Sequence, residues 1–123
     1  MDLALQTYLH SRNFTVLHLI TGLRALRVLS TLLPATLDPR QLQQLLARAA
    51  CAGWLAGRVQ WQASPALPAP QSLRWADLAH AALAQQDEHV IKLVHACWQE
   101  DQYRADPRWR QAAALACGYR SDH

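Results

Sequence analysis

The apolar residues of this chain recur every three to four positions and never settle into strict alternation, while four glycines and six prolines are all the punctuation that 123 residues receive. A 3.6-residue period places apolar side chains on one face of a helix, whereas strands require a period of two. The spacing therefore predicts an all-α protein: a compact bundle of about five helices in a single domain covering residues 1–123. At this length there is room for one hydrophobic core, and 51% hydrophobic residues are enough to fill it.

Helix boundaries are written in the caps. Asn13 suits an N-cap for a helix running to about Leu33, where Pro34 stops it. Asp38-Pro39-Arg40-Gln41 has the cap, the proline at the first helical position and a capping-box partner; its helix should reach Ala56, with Gly57 as its stop. Residues 58–71 hold Pro65, Pro68 and Pro70 among small residues and form the one long connection. They read either as a semi-extended strap across a helical surface or as a disordered linker. Ser72 or Leu73 opens a helix to about Ala84, residues 85–87 break it, and another runs from Glu88 to about Tyr103. Asp106-Pro107 repeats the cap signal and starts a last helix that ends at Gly118.

Twelve basic against nine acidic residues leave a net charge of +3, scattered along the chain. No basic run or base-aromatic alternation suits nucleic acid, so no nucleic-acid partner is expected. Cys51, Cys97 and Cys117 are odd in number and widely spaced, which excludes a disulfide framework and fits a reducing, cytoplasmic setting. The most apolar stretch, Thr15 to Leu33, is interrupted by Arg24 and Arg27, so no membrane span is expected.

Chemistry concentrates around Lys92, the only lysine, set within Val90-Ile91-Lys92-Leu93-Val94. At about 100° per residue, His89, Lys92 and His95 form a stripe along one helix. One reading lays the lysine stem on apolar surface with its ammonium reaching water, Asp87 or Glu88. The other turns the amine into a water-poor interior, where desolvation favours the neutral nucleophile or a carbon dioxide-derived carbamate able to ligate a metal beside the His89 imidazole. A third ligand is needed, and His18 is the natural candidate. The wheel gives it Phe14, Thr21, Gly22 and Ala25 as neighbours, a small-residue face that either lines a cavity or admits a close-packed helix. His80 is a weaker candidate for the same interior. Arg24 and Arg27 read as solvent-reaching arms, and the five tryptophans as core or interface anchors, some of them walls for a flat aromatic ligand.

Three stretches resemble consecutive blocks of the questin oxidase-like family: RNFTVLHLITGLRALRVLSTLL from Arg12, SLRWADLAHAALAQQDEHVIKLVHACWQE from Ser72, and DPRWRQAAALAC from Asp106. The His-centred LHLITGLRALR and the DEHVIK hexapeptide are the most specific pieces. The resemblance implies an all-helical fold and an oxidoreductase that opens anthraquinone-type rings by inserting oxygen, with non-haem iron or another divalent metal as cofactor. It implies His18, His89 and Lys92 as metal-side residues, with Lys92 and His89 catalytic. Family members are several times longer, and the matched blocks belong to their C-terminal portion. They also carry a histidine near the position of Arg24, and an arginine, always protonated, ligates no metal.

Two functions follow as expectations. One is a small or partial metal-dependent oxidoreductase acting on a planar aromatic, quinone-type molecule. The other is a non-catalytic helical module or subunit that forms a homo-oligomer or pairs with a separate partner chain, because a truncated fold exposes apolar surface.

Overall fold

A computed structural model describes residues 1–32, 38–63, 67, 69 and 72–119. Every regular element among them is helical: α1 (Asp2–Ser11), α2 (Phe14–Ser30), α3 (Pro39–Ala56), α4 (Trp75–Ala84), α5 (Glu88–Tyr103) and α6 (Pro107–Ala116). The all-α bundle is as expected, and α1 is the helix beyond the predicted five. Its start has no side-chain cap, and its end is Arg12 in the left-handed region at φ 49°, a position that leaves no signature in an arginine.

Asn13, Asp38 and Asp106 cap their helices as expected, and Asp87, read only as part of a break, caps α5 as well. The Asn13 side chain accepts from the Thr15 and Val16 N–H groups, Asp38 from Arg40, Asp87 from His89 and Asp106 from Arg108. The predicted end of α2 at Leu33 and Pro34 lies outside the described residues; the last helical residue is Ser30. Helix α4 begins at Trp75, later than expected, with Arg74 as an N-cap that makes no side-chain bond. Gly118 ends the last helix with φ 83°.

Gly57 ends α3 as its C-cap, as expected, and has a second part besides. It stays right-handed at φ −72°, and the left-handed residue is Arg58. The glycine is required by closeness: a Cβ there would lie 2.9 Å from Thr15 Cβ and 3.0 Å from Asn13 Oδ1. Through this gap Asn13 Nδ2 donates to the Gly57 carbonyl at 2.8 Å, tying the end of α3 to the start of α2.

Ala112, Ala113 and Ala114 are fully buried in succession, which a helix manages only when partners enclose it. Helices α1, α4 and α5 do so. Leu5, Tyr8 and Leu9 of α1, Val16 and Ile20 of α2, Leu78 of α4, and Leu93 and Cys97 of α5 complete this core. Helix α3 lies outside it, touching α2 and burying no residue. Where described, the connection after α3 is a strap. Gln62 N–H donates to the His10 carbonyl at 2.8 Å, His10 Nδ1 bonds Gln62 O at 2.6 Å, and the Trp61 indole stacks on the His10 ring at 4.1 Å. Val59 and Leu67 pack on the core.

Arg27 is no solvent arm. Its guanidinium pairs with the buried Glu100 carboxylate and lies over the Tyr103 ring, 4.0 Å from the centroid. Arg27→Met strands that carboxylate and should cost about 3 kcal/mol, at the low end for a broken buried pair because Arg27 is partly exposed. Urea unfolding of Arg27→Met, Glu100→Met and the double variant should show the double variant more stable than Arg27→Met alone. Asn13→Ala should cost about 1–2 kcal/mol, while Asn13→Asp, which keeps the cap and loses the bond to Gly57, should cost less.

Candidate functional site

The structure brings His18 and His89 together. Their ring centroids lie 5.3 Å apart across α2 and α5, although 71 positions separate them in the chain. Phe14 sets its ring edge-on to both, at 4.6 Å from His18 and 4.9 Å from His89. Position 14 is one helical turn before His18, so the Asn13 cap that starts α2 also places this aromatic edge.

Each imidazole is oriented through the same atom. His18 Nδ1 lies 2.9 Å from the Phe14 carbonyl, and His89 Nδ1 lies 3.1 Å from Asp87 Oδ1. A carbonyl only accepts, and the Asp87 carboxyl, held low, is ionised, so both Nδ1 atoms carry the proton and donate. Each neutral ring then has its lone pair on Nε2. The Asp87 carboxyl lies below the usual range because the His89 backbone N–H bonds it, helped by the His89 ring. One aspartate thus caps α5 and fixes the tautomer of the imidazole in its first turn.

Lys92 does not share this arrangement. Its side chain is 63% exposed, and its ammonium donates to Glu88 one turn earlier at 2.9 Å. Of the two readings of Lys92 the first holds and the desolvated amine is corrected: the core takes Val90, Leu93, Ala96 and Cys97, and the Lys92 side chain reaches Glu88 instead of a water-poor interior. His95 leaves the stripe for a groove on another side of α5, where it sits 5.9 Å from Trp98. His80 is exposed. Beside His18, a Cβ on Gly22 would meet nothing within 4 Å among the described residues, so no described helix packs closely at that position. Among the described residues, no three His, Cys, Asp or Glu side chains converge into a group that could hold a metal ion.

Other reactive groups are quiet. Burial pushes the Cys97 thiol up strongly and the Cys117 thiol to about 11, so neither supplies a thiolate near neutral pH. The buried Arg27–Glu100 pair is the polar feature that sequence reasoning missed. Its signal was available, because Glu100 falls on the same side of the α5 wheel as Leu93 and Cys97.

No protein-family model matches this chain, and no curated protein and no solved structure matches it. Among the described residues no helix is long and apolar enough to cross a membrane.

Asp77, Asp87, Glu88 and Asp106 are all held below the usual carboxylate range, chiefly by the Arg74 side chain, the His89 backbone N–H, Lys92 and the Arg108 side chain respectively. A carboxyl whose folded pKa is depressed stabilises the fold above the unfolded value of about 4 and loses that contribution as pH falls through the folded value. Melting temperature should therefore hold steady from about pH 7 to 5 and fall below about pH 4. Asp106→Asn, which keeps a capping side chain, should make the acid limb shallower.

Proposed function

We propose that this chain is a helical component of a questin oxidase-like, metal-dependent oxidoreductase, in which His18 and His89 provide two ligands to a non-haem divalent metal. The observation that carries the reading is the imidazole pair itself: two rings from different helices in van der Waals range, each with Nδ1–H engaged and Nε2 left as a donor atom. Outer partners of this kind accompany ligating histidines and fix ring orientation. Two imidazoles suit iron, zinc or copper, so the donor set fits such an ion in part. The remaining positions fall to water, substrate or a second chain. Lys92 receives no ligand role while its ammonium is bound to Glu88.

A bound iron would supply the redox chemistry for oxygen insertion into a planar aromatic, quinone-type substrate. What the protein contributes is local. The Phe14 carbonyl and Asp87 hold the two rings, the Phe14 side chain covers one side of the pair, and the open face beside Gly22 admits a molecule from solvent.

A second reading, a non-catalytic helical module acting through association, is favoured by the exposed apolar side chains Leu32, Leu45, Leu55 and Leu83.

Titration of metal-free protein with Fe(II), Co(II) and Zn(II), followed by calorimetry and by Co(II) absorption, separates the two. The oxidoreductase reading expects binding that weakens about 100-fold in His18→Ala or His89→Ala and about 10-fold in Asp87→Asn. Absence of binding, or equal binding by wild type and both histidine variants, leaves the module.

A further inference from the structure

The imidazole pair of α2 and α5 stands at the surface. His18 is exposed, the His89 side chain is 33% exposed, and Phe14 between them is 58% exposed. Two imidazoles bound through nitrogen to one tetrahedral ion, at about 2.1 Å each, hold their ring centres about 5 Å apart. These rings stand at 5.3 Å. With Nδ1 of His18 at the Phe14 carbonyl and Nδ1 of His89 at Asp87, the atoms left for an ion are the two Nε2.

The other donors in reach on α5 are already committed. Asp87 accepts from the His89 backbone N–H at 2.8 Å and faces its Nδ1, while Glu88 accepts from Lys92 at 2.9 Å. The Lys92 ammonium has no lone pair to give. A borderline ion such as zinc takes four ligands, so one chain fills half of its shell.

A second copy brings the same two donors. A two-fold axis through the ion sets each His18–His89 pair against the other, as an isologous contact requires. Charge points the same way. Within one helical turn of the two histidines the charged side chains are Asp87, Glu88 and Lys92, two acids and one base, a formal −1 per copy. Two copies bring −2 to one place, which a single divalent ion balances. The face also permits approach: Phe14, Gly22, Ala25 and Leu29 lie within about 40° of His18 around α2, and all four are exposed. Two of them are no larger than a methyl group.

We infer that one divalent transition-metal ion joins two copies of this chain, each giving the Nε2 atoms of His18 and His89. The inference rests on the reading of this pair as a metal site and names its partner. Zinc is satisfied by four such donors, whereas a non-haem iron keeps further positions for substrate.

Sedimentation velocity of the full chain at micromolar concentration, first in chelator and then with Zn(II) or Co(II), tests the assignment. The expected result is a monomer in chelator and a dimer of about 28 kDa, twice the chain mass, with half an equivalent of metal. Calorimetry should give one ion per two chains, and the ion should tighten self-association about 100-fold. His18→Ala and His89→Ala should each stay monomeric with metal while keeping the wild-type far-ultraviolet circular dichroism, and Lys92→Ala should dimerise as wild type does. One ion per chain on a monomer overturns the inference and leaves the pair standing as a metal site, whereas binding of neither ion overturns both. A dimer that persists in chelator, or that forms equally in the two histidine variants, also overturns it.

Discussion

The enclosure of α6 governs this fold. Three consecutive alanines without exposed surface demand neighbours around most of the helix, and only a methyl-sized side chain lets α1, α4 and α5 approach together. Larger residues at those positions would push at least one neighbour away, and in a close-packed interior such a shift spreads. With α5 pressed on α6, its remaining sides are allotted in turn: one to α2, where His89 meets His18; one to α4, beside the groove; and one to solvent, where Lys92 meets Glu88.

That allotment explains why neighbours in sequence part company in space. His89, Lys92 and His95 are successive steps of about 60° around one helix, a gradual stripe on a wheel. The packed surroundings of α5 change abruptly within that arc, from the imidazole and aromatic edge of α2, to water, to the apolar groove. A wheel gives the order of side chains around a helix and is silent about where one environment ends and the next begins.

Much of the fold was legible, and the reason is local. Asn13, Asp38 and Asp106 mark helix starts through bonds to their own backbone a few residues on, and proline or glycine marks other boundaries through backbone geometry alone. The α1–α2 break was illegible because it is made by an arginine forced left-handed, and the start of α4 because Arg74 caps nothing with its side chain. Gly57 was legible as a stop, while its close approach to Asn13 and Thr15 depends on another helix and was not. At the candidate site, His18 was named as the ligand that a metal beside His89 would still need, and no spacing rule relates two residues 71 positions apart. The partner of Lys92, Glu88, was among the two acids that the sequence offered for its ammonium, and the choice over the interior was made by the packing of α5.

The joining of α1 to α6 sets an order on biosynthesis. Arg108 reaches back to Asp2 at 2.6 Å, and Leu5, Tyr8 and Leu9 settle against a helix that begins about a hundred residues later. At ribosomal speeds of about 5–20 residues per second, the first helix waits roughly 5–20 seconds for its docking surface to be made. During that interval its oily side has no native cover, so the nascent chain is open to chaperone capture or clumping until α6 has emerged.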